Sequence, residues 1–528
     1  MTSSPDRDLA AAISKNTIFG VFSGVTQMGT RLITIPIVIA HLGLSGYGIW
    51  SIIMTTAAYM RFGSIGIKSA FQKYVAEATG NGDYETANKL LSTGCAAMLA
   101  LSIAGLIPIA FFSQVLARAA GVPPEFLKST AGAISVLALI MVMSNVGAVF
   151  EAIVMGGHRI DIARRFTVFF SVAEAVAIII ALHFGYGLLA MASIMGTSEV
   201  GFVTCCFLAS RRVVPQICVS TKRVTTSVLH ELFRFAGSYQ LVNILQVLYA
   251  AILPVTVLRA FGADYAGIYA ITLRLLAPAQ ILQDSFMLPI LSGGSMVYAS
   301  GATDKMQTLL HKSFKVTLAF AMLPLAFVAT FGPKIVFAWT GQSASQFQLA
   351  LVLVSVGGVF QAISLLGLVL YRVSGRAWLD NIRQVLSIAT LFSVALFAHQ
   401  LGFFGILAGL ALAEFIGMVF MWYAIAKTFH AFDVKALLPD SLKLMAATAA
   451  IAVQPELILM DEIHAISSNA RIVAVFQLAA ISMACLLAAV PALLLTRSVT
   501  AAEGKTLLGV FLPARRVAAT LVTPDAAE

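Results

Sequence analysis

The string LGLSGYGIW at residues 42–50 decides the fold, because the chain carries a second version of it, FGADYAGIY, at residues 261–269. At an offset of 219 positions, matching or similar residues are Gly43, Gly48, Ile49, Trp50 and Ile52 with Gly262, Gly267, Ile268, Tyr269 and Ile271. At an offset of 218, the matches are Gly157, Arg165, Gly187 and Ala190 with Gly375, Arg383, Gly405 and Ala408. A register kept over so long a stretch indicates an internal duplication.

The composition is that of a membrane protein. Of the 528 residues, 59% are hydrophobic and 11% are charged, whereas soluble domains carry about 25% charged residues. So few charges cannot cover the surface of a water-soluble protein. The net charge is +10, but the basic residues are scattered between apolar blocks, which argues against a nucleic-acid-binding face.

Apolar runs long enough to cross a membrane recur along the chain. A helix needs about 20 apolar residues to cross the hydrocarbon core, and that window gives fourteen candidate spans. They cover residues 17–41, 47–67, 90–112, 131–155, 166–184, 188–209, 235–258, 266–291, 316–337, 349–371, 382–398, 403–426, 442–459 and 472–496. The segment before the first span is polar and mixed in charge, so we expect the first helix to stay as an anchor and not to be cleaved.

The distribution of basic residues predicts the orientation. With the amino terminus in the cytoplasm, 26 of the 34 Lys and Arg residues fall on the cytoplasmic side. The opposite side holds five, which are Arg118, Lys128, Arg259, Lys334 and Arg471. This bias follows the positive-inside rule. We expect a multi-pass protein of a bacterial inner (plasma) membrane with both termini in the cytoplasm.

The repeat predicts the architecture. It pairs the first predicted helix with the seventh and the fourth with the tenth, and both members of each pair cross in the same direction. We therefore expect an all-α polytopic membrane protein of about 14 transmembrane helices, with two parallel six-helix lobes related by a pseudo-two-fold axis along the membrane normal. The predicted divisions are an N-lobe at 1–210, a cytoplasmic linker at 211–234, a C-lobe at 235–430, and helices 13 and 14 with a cytoplasmic tail at 431–528.

Three arginines fall inside predicted helices. Arg31 lies in the middle of helix 1, Arg61 in the cytoplasmic half of helix 2, and Arg274 in the outer part of helix 8. An arginine within the bilayer is costly unless it faces a cavity or a partner. Because a guanidinium stays charged and binds phosphate bidentately, the three residues predict a cavity that binds an anionic substrate.

A second interpretation pairs these arginines with buried carboxylates. The candidates are Glu174 in helix 5, Glu199 in helix 6, Asp284 in helix 8 and Glu414 in helix 12. At an offset of 218, Glu414 aligns three residues before Glu199, on roughly the same helix face. These carboxylates either bind a coupling Na⁺ or H⁺ or hold helices together, and the sequence leaves both roles open.

No pattern predicts an enzyme or a bound cofactor. The sequence has no HExxH or GxSxG motif, and its five cysteines lack the spacing of metal ligands. The longest predicted outer loop, residues 113–130, is too short for a catalytic domain. Apart from a possible coupling ion, we expect no cofactor and no metal.

These features resemble the multidrug/oligosaccharidyl-lipid/polysaccharide (MOP) flippase superfamily, in particular its polysaccharide transporter (Wzx-like) branch. The resemblance covers nearly the whole chain. It rests on the repeated lobes, LGLSGYGIW after helix 1, AFQKYVAEATGNGDYETANKLL at residues 70–91 and GGHRIDIARR at residues 156–165. The segment 70–91, a basic amphipathic stretch with a Gly-Asn-Gly-Asp turn, is the most specific of these.

The resemblance implies two lobes around a central cavity, alternating access, and a polyprenyl-pyrophosphate-linked sugar as cargo. Lipid II flippase relatives carry cavity arginines in their helices 1, 2 and 8, where Arg31, Arg61 and Arg274 fall here. Implied partners are membrane lipids and polysaccharide polymerase or glycosyltransferase machinery, with no nucleic acid.

The predicted function is that of a flippase that exports a lipid-linked oligosaccharide, the repeat unit of an O-antigen, exopolysaccharide or capsule. The alternative is a multidrug exporter coupled to Na⁺ or H⁺, whose cationic cargo would favour a cavity lined by carboxylates. A membrane ligase or polymerase would place catalytic polar residues in a long outer loop, which the predicted topology lacks.

Overall fold

The computed structural model describes residues 5–299 and 303–428 except 61 and 377, together with residues 471, 473–475, 477 and 478. All regular structure in this part of the chain is helical. Nine of its helices are long and apolar enough to cross a membrane, with Phe22–Met60 counted as one. The predicted all-α polytopic class is therefore confirmed, while the number of fourteen crossings stays a prediction.

The first helix, α1, runs from Pro5 to Met60 and is broken at Gly43, where φ is 71° and ψ is 179°. Only glycine adopts this backbone conformation readily. The predicted spans 17–41 and 47–67 therefore form the two arms of α1. The second arm ends earlier than predicted, because a separate helix, α2 (Phe62–Asn81), follows it.

The same break recurs at the repeat-related position. Gly262, with φ 88° and ψ −177°, ends α8 (Thr226–Phe261) immediately before α9 (Ala263–Ala299). Two glycines at equivalent repeat positions thus share one rare backbone conformation. This shared conformation supports the internal duplication inferred from residue identities, which stays a prediction.

The remaining helices follow the predicted order. They are α3 (Tyr84–Phe111), α4 (Ser113–Ala119), α5 (Pro124–Gly156), α6 (Ile160–His183), α7 (Leu188–Val213), a 3₁₀ turn (Thr221–Arg223), α10 (Thr303–Thr340), α11 (Gln346–Val373), α12 (Trp378–Leu396) and α13 (Ala398–Thr428). The first twelve predicted spans fall on helices, and span 442–459 and most of span 472–496 lie outside the described residues.

The chain divides into two compact units, Met1–Gly267 and Ile268–Glu528. In the first unit α5 is central and packs against α1, α2, α3, α4, α6 and α7, whereas α8 packs against α1, α2 and α3. In the second unit α11 packs against α10 and α13, and α12 packs against α13. The predicted division into lobes and linker stays a prediction.

Candidate functional site

The first arm of α1 carries a row of polar side chains. Its members, at positions i, i+3, i+4, i+7, i+8 and i+11, are Ser23, Thr26, Gln27, Thr30, Arg31 and Thr34. That spacing places them on one side of a helix. The other sides expose large apolar residues, among them Phe22, Val25 and Ile33. In a helix apolar enough to cross a membrane, a continuous polar face indicates contact with water, substrate or polar protein groups.

The threonines of this face are satisfied within the helix. Thr26 Oγ1 donates to the carbonyl oxygen of Phe22 at 2.9 Å, and Thr34 Oγ1 donates to that of Thr30 at 2.7 Å. Thr30 Oγ1 donates to the carbonyl oxygen of Gln27 at 3.0 Å. These bonds lower the cost of holding hydroxyl groups in an apolar medium. The oxygens can still accept hydrogen bonds from a ligand.

Arg31 is the one permanent cation of this face, and its side chain is exposed. Sequence reasoning identified Arg31 alone and missed the polar residues around it. Their signal was nevertheless local, since hydroxyl and amide side chains recur at the helical period on either side of the arginine. The predicted site in this arm is therefore a face of α1 and not a single charge.

Glu174 lies on α6, which packs against α1. The guanidinium carbon of Arg165 is 4.9 Å from the ring centroid of Phe19, so α1 and α6 are side by side at that level. At a rise of 1.5 Å per residue, Arg31 lies about 18 Å along α1 from Phe19, and Glu174 lies about 14 Å along α6 from Arg165. If both helices cross in the predicted common direction, the two residues lie at similar depths. A half-buried carboxylate thus accompanies the arginine on the neighbouring helix.

Glu199 on α7 takes part in helix packing. Its Oε1 accepts a hydrogen bond from Ser144 Oγ of α5 at 2.5 Å, and its side chain is half-buried. This contact supports the helix-pairing interpretation of Glu199, and the ion-coupling role stays a prediction.

Asn145, which follows Ser144 on α5, forms hydrogen bonds that hold the end of α1 in place. Asn145 Nδ2 lies 3.0 Å from the carbonyl oxygen of Met60 and 3.1 Å from Ser102 Oγ of α3. Asn145 is 5% exposed, so these bonds are shielded from water. They fix the last residue of α1, directly before Arg61, which itself lies outside the described residues.

The other predicted site residues belong to the second unit. Arg274 is an exposed residue of α9, and Glu414 is a buried residue of α13. The side chain of Asp284, also on α9, lies outside the described residues. Within the described part of the chain, no group of three or more His, Cys, Asp and Glu residues is arranged to hold a metal ion.

Two buried aspartates that sequence reasoning missed occupy equivalent positions of the repeat. Asp161 and Asp380 lie 219 positions apart, in the first turns of α6 and α12. Asp161 Oδ1 is 3.1 Å from Arg159 Nε. Asp380 Oδ1 is 2.8 Å from Arg383 Nε, and its Oδ2 accepts from Gln384 Nε2 at 3.0 Å. The offset of the repeat was the signal that could have identified them.

Comparison with known proteins bears on the fold. The MatE family model matches residues 21–180, which run from α1 into α6. A structure described as the lipid II flippase MurJ in an inward closed conformation has a TM-score of 0.66 and 14% identity, covering 90% of this chain and 97% of that one. No protein of curated function matches the sequence.

Two further solved structures share the fold. An inward-facing multidrug resistance MATE family transporter of the MOP superfamily has a TM-score of 0.63 and 18% identity, over 76% of this chain and 96% of that one. A MOP superfamily transporter from Pyrococcus furiosus, whose description reports a binding pocket of reverse polarity, has a TM-score of 0.57 and 16% identity, over 79% and 96% of the chains. At these identities the likeness establishes the fold alone.

Proposed function

We propose that this chain, which shares the fold of the MurJ and MATE transporter structures, is a MOP-superfamily flippase. It exports a polyprenyl-pyrophosphate-linked oligosaccharide across the membrane by alternating access. The observation that carries the proposal is the polar face of α1, in which Arg31 stands among hydroxyl oxygens on a membrane-length helix. The cargo has two polar parts, a pyrophosphate and a sugar, and the face offers a group suited to each.

The pyrophosphate suits the arginine. A guanidinium forms two parallel hydrogen bonds to phosphate oxygens and keeps its charge at physiological pH. The sugar suits the threonines, because Thr26, Thr30 and Thr34 use their own hydrogens inside the helix and keep oxygen lone pairs for sugar hydroxyls. The polyprenyl tail requires no polar partner and stays in the lipid.

The predicted triad of cavity cations belongs to the same proposal. Arg31 and Arg274 are exposed on helices α1 and α9, and an exposed arginine on an apolar helix is costly in lipid. Each of the two is therefore proposed to face water or the cargo and not lipid, and the role of Arg61 stays a prediction. The relative described as MurJ is a flippase whose cargo is lipid II. Lipid II is a lipid-linked cargo of this class.

A multidrug exporter is the second candidate. It is favoured by the MatE match over residues 21–180 and by the half-buried Glu174 and Glu199 in the first unit. In that function these carboxylates would bind H⁺ or Na⁺ as the coupling ion. A cationic drug is repelled by Arg31, however, unless Glu174 neutralises the arginine.

Transport by the purified full chain in sealed vesicles distinguishes the two candidates. The probes are a fluorescent polyprenyl-pyrophosphate-linked disaccharide and the cationic dye ethidium. We expect movement of the lipid-linked probe, a loss of about tenfold or more in Arg31→Gln, since charged hydrogen bonds contribute roughly 1.5–3 kcal/mol, and a smaller loss in Arg31→Lys. Lys73→Gln, a matched change of an exposed cation on α2, should leave the rate unchanged.

Two results would contradict the proposal. Full flipping by Arg31→Gln would remove the role of the α1 cation. Export of ethidium without movement of the lipid-linked probe would favour the second candidate, and Glu174→Gln should then abolish that export.

A further inference from the structure

The segment between α7 and α8 is hydrogen-bonded to α3. Asn88 accepts a hydrogen bond from the backbone N–H of Cys218 at 2.7 Å and donates to the carbonyl oxygen of Gln216 at 3.1 Å. The backbone N–H of Ser220 donates to Ser92 Oγ at 3.0 Å. We call residues 211–225 the basic linker.

Apolar side chains of the basic linker anchor it as well. Val214 and Ile217 are each 3% exposed and join the core cluster that includes Phe71 of α2, Leu91 of α3 and Ile153 of α5. The backbone of the basic linker is therefore held both by hydrogen bonds and by buried side chains. Any surface that it presents is formed before a ligand arrives.

That surface is cationic. Arg211, Arg212, Lys222 and Arg223 are all exposed. Two of them converge on one residue, since Arg211 Nη1 lies 3.6 Å from Cys218 Sγ and Arg223 Nη1 donates to the carbonyl oxygen of Cys218 at 3.2 Å. Each guanidinium has five N–H donors, so each retains most of its donors for another partner.

The protein supplies little negative charge to this surface. Among the described residues, no carboxylate lies within ion-pair distance of the four cations of the basic linker. Glu85 of α3 interacts electrostatically with Arg223, but its ion pair is with Lys89, at 2.7 Å. The adjacent like charges repel one another, and an anion bound between them would relieve that repulsion.

The position of the cluster matches a lipid headgroup region. Arg211 stacks over the ring of Phe207, with 5.2 Å from its guanidinium carbon to the ring centroid, at the end of the apolar helix α7. Two neighbouring apolar side chains are exposed, Leu208 by 58% and Val224 by 42%. Cations beside exposed apolar side chains at a helix end are typical of a surface that meets the membrane interface.

We propose that the basic linker binds the phosphate of an anionic phospholipid in the adjacent leaflet, with Arg211 and Arg223 as its main ligands. The lipid phosphate lies between the two guanidinium groups near Cys218, while its acyl chains pack beside Leu208 and Val224. The proposal concerns a resident lipid of the membrane and is independent of the transported cargo.

Lipid binding by the purified full chain in an uncharged detergent tests this proposal. Native mass spectrometry measures the retention of phosphatidylglycerol, with phosphatidylcholine as the uncharged comparison lipid. Arg211→Gln/Arg223→Gln should weaken phosphatidylglycerol binding by about tenfold or more, since each basic residue near a lipid surface contributes about 1 kcal/mol. Arg118→Gln/Lys128→Gln, which removes equal charge from the predicted opposite side, should change it less than about twofold.

Further measurements distinguish a specific headgroup site from general charge attraction. Arg211→Lys/Arg223→Lys keeps the charge but loses the bidentate geometry, so it should bind more weakly than the unaltered chain. Equal binding by this variant, equal losses in both glutamine pairs, or displacement of the lipid by equimolar inorganic phosphate would each overturn the proposal. Should the glutamine variant fail to fold, added salt must still weaken phosphatidylglycerol binding to the unaltered chain and spare phosphatidylcholine.

Discussion

Ser45 donates a hydrogen bond to Asp264, and the 219 positions between them are the offset of the internal repeat. A residue therefore meets its own repeat counterpart. Three positions further on, Gly48 faces Gly267 in the same way, because a Cβ on Gly48 would lie 2.6 Å from the amide nitrogen of Gly267. Within the first unit, Ser45 and Gly48 of LGLSGYGIW thus contact Asp264 and Gly267, their counterparts in FGADYAGIY.

The bond between Ser45 and Asp264 should show as coupling in a double-mutant cycle. Ser45→Ala and Asp264→Ala together should be less destabilising than the sum of the single changes, by about 1 kcal/mol, as expected for a hydrogen bond. Thermal unfolding in detergent measures this. A control cycle combines Ser45→Ala with Glu125→Ala, an exposed acid on α5, and should show no coupling. Equal coupling energies in the two cycles would contradict the hydrogen bond between Ser45 and Asp264.

Gly48 should tolerate no side chain. A Cβ there would lie 2.2 Å from the carbonyl oxygen of Ala263, and backbone cannot move aside as a flexible side chain can. Gly48→Ala should therefore lower the melting temperature, with a cost of roughly 1–3 kcal/mol for overpacking. Gly105→Ala on α3, where nothing lies within 4 Å of the added atom, should be neutral or stabilising. Similar melting temperatures for the two variants would show that the close approach does not exist in solution.

Asn88 should control the order of the basic linker. Asn88→Ala removes the acceptor of the Cys218 N–H and the donor to Gln216, leaving polar groups unsatisfied at a cost of roughly 1–3 kcal/mol. We expect faster cleavage by protease within residues 214–225 and a lower melting temperature. Asn88→Asp keeps the acceptor and should have an intermediate effect. Lys89→Ala, its exposed neighbour, serves as the control, and cleavage as fast as in Asn88→Ala would refute this role.

Asp83 should make the start of α3 sensitive to acid. Its carboxylate accepts from the backbone N–H of Thr86 at 3.1 Å, and hydrogen bonding with Thr86 holds the pKa of Asp83 below its ordinary value of 3.8. The ionised form is therefore favoured by folding. Its contribution is present above pH 3.8 and is lost as the pH falls through the lower folded pKa.

An NMR titration of the Thr86 amide reports this transition, whose midpoint should lie below 3.8. Asp83→Asn largely keeps the helix N-cap but has no carboxyl group to titrate. In this variant the chemical shift of the Thr86 amide should therefore stay constant over the same pH range. A midpoint at or above 3.8 in the unaltered chain would contradict the assignment.

Part of the candidate site was readable from local sequence, and part was not. Arg31 was identifiable because a charge in an apolar run stands out, and its threonine neighbours follow the same helical period. The partners of Glu199 and Asn88 were not identifiable. Ser144 lies 55 positions from Glu199, and Gln216 lies 128 positions from Asn88, and no periodicity links residues so far apart.

The sequence by itself determined the helical class, the places of twelve apolar spans and the matching residues of the repeat. These are properties of short stretches and of identities at one offset, so they need no knowledge of packing. Tertiary structure alone decided that Ser45 meets Asp264, that the second arm of α1 ends at Met60, and that the basic linker lies on α3. Such contacts depend on which helix faces pack together, and hydropathy along one chain does not encode that choice.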